Sequence, residues 1–181
     1  GHVRYSQLVD NVVVHSESYA KTYNTISNKN LYFGNPKYDY ILSKKEIYKK
    51  YNHFLHPDLK FCLLILPKMR DINKCWGHLQ KSVAVIRNMG YRVIGKSREK
   101  DSYSNLQNLN MLCDIYLEDV TWFTHPTMDI INISEFVINC DSTTIEECVY
   151  LKTPVINFRI KKGDYFRLLY REEYSPEMNV E

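Results

Sequence analysis

Glycine is scarce in this chain, and its scarcity argues against two large classes of nucleotide-binding enzyme. The 181 residues include six glycines: Gly1, Gly34, Gly77, Gly90, Gly95 and Gly163. Neither a Gly-x-Gly-x-x-Gly turn nor a Walker A loop can be built from glycines at these spacings. A dinucleotide-dependent dehydrogenase and a P-loop kinase are therefore both poor fits to the sequence.

Dense positive charge and long apolar runs are also missing. The formal net charge is only +3, and no run of basic residues is longer than a pair such as Lys44-Lys45. A dedicated nucleic-acid surface normally shows a denser basic stripe, so we expect no nucleic-acid partner. No apolar run approaches the length that spans a bilayer, and nothing at the start resembles a signal peptide. We therefore expect no membrane span and a cytoplasmic location.

Paired cysteine spacing is absent as well. The five cysteines are Cys62, Cys75, Cys113, Cys140 and Cys148. An odd number of cysteines, most of them in apolar segments, predicts buried free thiols in a reducing compartment rather than a disulfide framework. This agrees with a cytoplasmic location.

Metal-binding patterns are weak. His53-x-x-His56 and Cys75-x-x-His78 have spacings that could face a metal ion on a helix. Neither has a convincing second pair of ligands, and structural zinc sites normally need four. We expect no metal site and no cofactor.

What the chain does contain is a regular alternation of strand and helix patterns. Short apolar runs predict strands at Asn11–His15, Leu31–Phe33, Phe61–Leu66, Tyr91–Gly95, Asp114–Leu117, Phe136–Asn139 and Val155–Phe158. Capping residues and apolar spacing predict helices at Glu17–Tyr23, Lys44–Tyr51, Cys75–Met89 and Pro126–Glu135. Alternation with short loops favours an α/β fold with a doubly wound parallel sheet and helices on both faces.

The most informative segment runs from Cys140 to Asn157. It places the hydroxyl residues Ser142, Thr143 and Thr144 between an apolar strand and the start of a helix. Free backbone N–H groups at such a point can bind an anion. The two patterns Thr143-x-x-Glu146 and Thr144-x-x-Glu147 also fit a capping box, which needs no ligand. The residues by themselves leave cap and phosphate site open.

Two cationic loops are predicted at the same edge of the sheet. Pro67–Arg70 follows the first strand of the main sheet and supplies Lys68 and Arg70, while Gly95–Arg98 follows the second. Two cationic loops opposite a helix N-terminus suit a diphosphate. The alternative is that these side chains are merely solvated on the surface.

Three short motifs in the correct order resemble the GT-B superfamily. The run from Asp141 to Glu147, followed by Pro154-Val155 and Arg159, resembles the signature of the C-terminal nucleotide-binding half of UDP-N-acetylglucosamine 2-epimerases. Gly34–Asp39 resembles the Gly-Asn-Pro-x-x-Asp element that joins the halves of many GT-B glycosyltransferases. Val12–Glu17 resembles the strand before that join. The resemblance implies a Rossmann-like domain, the C-terminal half of a GT-B fold.

The resemblance also implies roles for individual residues. Ser142 and Thr143 would contact the distal phosphate, with Thr144 in the same turn, and the family's Arg corresponds to Arg159. The second Glu of the motif holds the ribose hydroxyls, which gives that role to Glu147, whose two acceptor oxygens suit a vicinal diol. Glu146 points about 100° away on the helix and is expected to cap the helix or face solvent.

The sequence departs from the epimerase pattern in places that matter for the reaction. It has Lys68-Met69-Arg70 where the epimerases have His-Arg, and Thr143-Thr144 where they have two glycines. Lys161–Asp164 replaces a Thr-Glu-Arg-Pro-Glu run. These departures weaken the epimerase assignment, and a glycosyltransferase is at least as good a match.

The resulting hypothesis is the donor-binding half of a GT-B glycosyltransferase. It would bind a nucleotide-activated sugar, UDP- or CDP-linked, and its catalytic residues stay unknown because GT-B enzymes work between two halves. We expect residues 1–33 to form the end of a preceding domain or a linker strand, 34–160 to form the nucleotide-binding domain and 161–181 to form a helical extension. An N-terminal GT-B half or a homo-oligomer would be the partner. The alternatives are an epimerase-like domain and a non-catalytic module that binds a nucleotide or a protein.

Overall fold

The computed structural model describes residues 12–14, 30–32, 36–97, 103, 106–118, 125–140 and 142–158. They belong to two compact units that divide between Tyr40 and Ile41. In the first unit, strands β1 (Val12–Val14) and β2 (Asn30–Tyr32) pair in parallel. The predicted helix Glu17–Tyr23 and the predicted extension 161–181 lie outside the described residues, and the predicted domain boundaries stay predictions.

The second unit is built on a parallel sheet of five strands in the order β5-β4-β3-β6-β7. The strands are β3 (Lys60–Ile65), β4 (Tyr91–Lys96), β5 (Ile115–Leu117), β6 (Phe136–Cys140) and β7 (Val155–Phe158). The helices are α1 (Lys44–Lys50), α2 (Ile72–Asn88), α3 (His125–Ile133) and α4 (Ile145–Tyr150). Each predicted strand of this unit is present, with ends that differ by at most one residue. The predicted α/β doubly wound, Rossmann-like fold is therefore confirmed.

Helices cover both faces of the sheet because β3 is apolar at consecutive positions. Cys62 and Leu64 point to one face, where they join a core with α2. Phe61, Leu63 and Ile65 point to the other, where the core includes side chains of α1, α3 and α4. A side chain alternates between faces at each step of a strand, so a strand buried on both faces reads as an unbroken apolar run. Each fully buried side chain of this kind stabilises the fold by about 1.5–3 kcal/mol.

Local capping chemistry sets the ends of two helices. At α1 the Ser43 N–H donates to Glu46 Oε2 (2.9 Å) and the Glu46 N–H donates to Ser43 Oγ (3.4 Å), which forms the predicted capping box. The Ser43 hydroxyl also donates to Glu46 Oε2 at 2.6 Å, and this bond, together with the one from the Ser43 N–H, lowers the pKa of Glu46. At the end of α2, Gly90 adopts φ +87°, the left-handed conformation that closes a helix with little steric penalty for glycine.

Helix α2 begins at Ile72, one turn before the predicted start at Cys75. The preceding turn, Met69–Asp71, is a 3-10 helix that leads directly into it. No capping side chain marks the junction, so a search for capping residues misses it. Within the described part of the chain, no helix is long and apolar enough to cross a membrane.

Candidate ligand site at the carboxyl edge of the sheet

The order of the sheet reverses between β3 and β6. From β3 the chain continues to its neighbour β4 and then to β5, while β6 lies on the opposite side of β3 and leads to β7. Helix α2, which follows β3, packs on one face, and α4, which follows β6, packs on the other. In open α/β sheets, ligands bind outside the carboxyl ends of the strands at such a reversal.

The register of the sheet places two predicted site segments at this reversal. Ile65 of β3 and Asn139 of β6 are direct partners. Lys68 lies three residues beyond Ile65, and Ser142 lies three residues beyond Asn139. The two segments therefore leave the sheet at the same edge, as expected for neighbouring parallel strands.

The Ser142–Thr144 turn is closed by its own hydroxyl groups. The Ser142 and Thr144 hydroxyls share a hydrogen bond of 2.9 Å, and the Thr144 N–H donates to Ser142 Oγ at 3.4 Å. Ser142 is buried, whereas Thr143 is exposed. Both hydrogen bonds lie within the turn itself.

The two capping boxes that the sequence left open are not formed. Thr144 is the N-cap residue of α4, and its side chain makes no capping bond to the helix. The Glu146 N–H donates to the backbone carbonyl of Thr143 at 3.1 Å. The Thr143 and Thr144 hydroxyls therefore do not cap α4 as a capping box would.

Glu146 and Glu147 differ in burial. Glu147 is 6% exposed, while Glu146 is half-buried. Glu is rarely buried to this extent in proteins, so the burial of Glu147 is unusual. Helix α4 has only six residues.

The two predicted cations of the β3 loop are placed differently. Lys68 is half-buried directly after β3. Arg70 is directed to Asp71, with its Nε 3.5 Å from Asp71 Oδ2, and its side chain is 70% exposed. Lys74 Nζ donates to the other oxygen of Asp71 at 2.6 Å. The Asp71 carboxylate thus lies at the start of α2, where it interacts with Arg70 and Lys74.

Lys96 lies in strand β4, not in the cationic loop that the sequence predicts after this strand. It is the last residue of β4 and is 5% exposed, with Nζ 3.5 Å from the carbonyl of Ser97. Arg98, the other cation of this predicted loop, lies outside the described residues, as do Asp141 and Arg159. Their predicted positions stay predictions.

A hydrogen-bond network around two tyrosines, which sequence reasoning missed, lies at the carboxyl end of β3. The buried Tyr103 hydroxyl donates to the carbonyl of Pro67 at 2.5 Å. The Tyr103 N–H donates to the Tyr116 hydroxyl, which donates to Ser97 Oγ, each at 2.9 Å. The network joins the ends of β3, β4 and β5, next to Lys68. No local sequence pattern predicts this network, because its residues are far apart in the sequence.

A pair of asparagines at the ends of β6 and β7 was also missed. The Asn139 Nδ2 group donates to the carbonyl of Ser142 at 2.9 Å and to Asn157 Oδ1 at 3.0 Å. Asn139 and Asn157 are register partners. The signal that could have found them is an Asn near the end of each of two consecutive apolar strands.

Burial favours the protonated form of three cysteine thiols. It raises the pKa of Cys62 and of Cys148 to about 12 and that of Cys113 to about 11. The described cysteines are free and buried. Among the described residues, no three His, Cys, Asp or Glu side chains are grouped as a metal site would require.

No protein-family model matches the sequence, and no curated protein matches it either. Among solved structures, a complex of S. aureus MnaA with UDP is similar to this chain, with a TM-score of 0.55 and 17% sequence identity. The similarity covers 85% of this chain and 44% of that protein, so the chain spans less than half of its length. At this identity the likeness shows the fold alone, which is a Rossmann-like α/β domain.

Proposed function

We propose that this chain is the nucleotide-binding domain of a GT-B-type protein and holds the UDP portion of a UDP-linked sugar. The observation that supports it most is the reversal of strand order between β3 and β6, with the Ser142–Thr144 turn and Lys68 at the edge where ligands bind in such sheets. The similarity to a UDP-bound protein of the same fold supports uridine over other bases.

The diphosphate would lie on the hydroxyl turn. Backbone N–H groups and hydroxyls of Ser142–Thr144 are donors of the kind that phosphate oxygens accept, and Lys68 is a cation on the neighbouring strand exit. Neither the N-terminus of α2 nor Arg70 suits the anion equally well, since Asp71 lies beside both. Arg159, which follows β7, is a further candidate cation from the sequence resemblance.

The ribose would be held by Glu147. Its carboxylate lies in the first turn of α4, directly after the phosphate-binding turn, and carries two acceptor oxygens for a vicinal diol. A bound ribose diol would donate hydrogen bonds to these oxygens.

The reaction we propose is glycosyl transfer. Donors held around the diphosphate would stabilise the negative charge that develops on it as the bond to the sugar breaks. The residues that act as acid or base are not assigned, since GT-B enzymes bring them from a second domain as well. The departures from the epimerase motif favour transfer over epimerisation.

A titration of the chain with UDP, CDP, GDP, ADP and TDP, followed by calorimetry and thermal shift, tests the proposal. UDP at a hundred times its dissociation constant should add about 2.7 kcal/mol to the free energy of unfolding. Chemical shifts of the Ser142–Thr144 amides should move with UDP. If no nucleoside diphosphate binds, or if UDP shifts other amides and leaves these unmoved, the proposal is wrong.

A further inference from the structure

The side-chain amide of Asn139 is fully buried, and its Nδ2 and Oδ1 atoms differ in their hydrogen bonding. Its exposed fraction is 0%, and its Nδ2 group donates to both Ser142 and Asn157. Its Oδ1 atom is equally buried and accepts no hydrogen bond from the residues that the structure describes. A buried acceptor without a donor destabilises a fold.

An apolar residue would avoid that penalty. The neighbouring inward-facing positions of β6, Val137 and Ile138, are apolar and buried, as expected for a central strand. The amide at position 139 therefore needs a reason other than packing. Its bond to the Ser142 carbonyl offers one, because that carbonyl belongs to the proposed phosphate-binding turn.

We propose that Asn139 is a positioning residue for the Ser142–Thr144 turn. By holding the Ser142 carbonyl inward, its amide fixes the peptide group between Ser142 and Thr143, so that the Thr143 N–H is directed away from Asn139. Asn139 does not touch the ligand, since it is fully buried; it acts through the turn. This inference rests on the proposed function for its role in binding, but the ordering of the turn can be tested without a ligand.

The competing explanation is that Asn139 only braces β6 against β7 through Asn157. The chain offers a matched control for this explanation. Asn157→Leu removes the brace and leaves the bond from Asn139 to Ser142, whereas Asn139→Leu removes both. Asn139→Ala serves as a second variant if Asn139→Leu does not fold.

The first measurement is the backbone ¹⁵N order parameter of Ser142, Thr143 and Thr144 in the ligand-free chain. We expect rigid values of about 0.85 in the wild type and in Asn157→Leu, and values below about 0.6 in the Asn139 variants. The second measurement is UDP affinity, which should fall about tenfold in Asn139→Leu, equivalent to about 1.4 kcal/mol. In Asn157→Leu it should stay within about twofold of the wild type.

A third measurement needs no variant. Hydrogen exchange of the Asn139 side-chain N–H protons in the wild type should be slow, since both are bonded and buried. Fast exchange, or a turn that stays rigid when Asn139 is replaced, overturns the inference. Loss of order in Asn157→Leu equal to that in Asn139→Leu overturns it too. Failure of the wild type to bind UDP overturns the proposed function instead, and the order parameters still test the role of Asn139.

Discussion

Ile65 and Asn139 are direct partners in the parallel pairing of β3 with β6, and the helices that follow them pack on opposite faces of the sheet. The chain therefore diverges after these two residues. Lys68 and the Ser142–Thr144 turn flank that divergence. A site at this point depends on strand order, which brings together segments more than seventy residues apart in the sequence.

The two glutamates of α4 provide the sharpest test of the site. Glu147→Ala should weaken UDP binding by roughly 1.5–3 kcal/mol, the range for hydrogen bonds to a charged group. Glu146→Ala, the matched control, should bind UDP almost normally because this residue lies on another side of the helix. Calorimetric titration and melting temperature of both variants decide the question. Equal affinities with unequal stabilities would make Glu147 a structural residue.

Lys68 and Arg70 form a second matched pair. Lys68→Ala should weaken UDP binding by roughly 1.5–3 kcal/mol, since it removes a cation beside the proposed diphosphate. Arg70→Ala should change binding by less than about 0.5 kcal/mol, because Arg70 is exposed and directed to Asp71. Titrations at low and moderate salt measure both effects. A larger loss in Arg70→Ala would show that its contact with Asp71 is given up when the ligand binds.

Two glycine substitutions should change stability in opposite directions. A Cβ atom at Gly95 would lie 2.7 Å from Cys113 Sγ and 2.8 Å from its Cβ, so Gly95→Ala should destabilise the fold by about 1–3 kcal/mol. At Gly77, inside α2, a Cβ atom meets nothing within 4 Å. Gly77→Ala should therefore stabilise by about 0.5–1 kcal/mol. Denaturant unfolding measures both, and a stable Gly95→Ala variant would show that Cys113 can move aside.

The substitution Tyr103→Phe tests the hydrogen-bond network at the carboxyl end of β3. It removes the donor to the Pro67 carbonyl and should destabilise the fold by about 1–3 kcal/mol, since the carbonyl loses its partner. Tyr91→Phe is the control, because Tyr91 is half-buried and contacts Phe136 edge-on through its ring. It should change stability by less than about 0.5 kcal/mol. Similar unfolding free energies for the two variants would contradict the role of the network.

Much of the fold could be predicted because its signals are local. The unbroken apolar run of β3 predicts a strand buried on both faces, and Ser43 with Glu46 predicts the start of α1. Hydrogen bonds between residues three apart and periodic burial depend on residues that are close together in the sequence, so local patterns predict them. The start of α2 at Ile72 could not be predicted, since a 3-10 turn without a capping side chain precedes it.

The candidate site could be predicted only in part, for a related reason. The hydroxyl turn and Glu147 stand together in the sequence, and so do Lys68 and Arg70. The contacts of these side chains cannot be predicted from the sequence: Arg70, for example, is directed to Asp71. Nor could the sequence show that the neighbouring cation Lys96 is buried at the end of β4. These depend on which side chains the folded chain brings near and on how much water remains around them.

The sequence by itself determined the strands of the five-stranded sheet, the approximate positions of α1, α2 and α3 and the α/β class, because periodic burial and turn chemistry act over a few residues. Only the tertiary structure decided that β6 lies beside β3, so that the segments of Lys68 and Ser142 follow neighbouring strands. Only the tertiary structure revealed that the amide of Asn139 reaches both Ser142 and Asn157. Strand order and buried hydrogen bonds arise from contacts between distant segments, and these form when the chain closes around a common core.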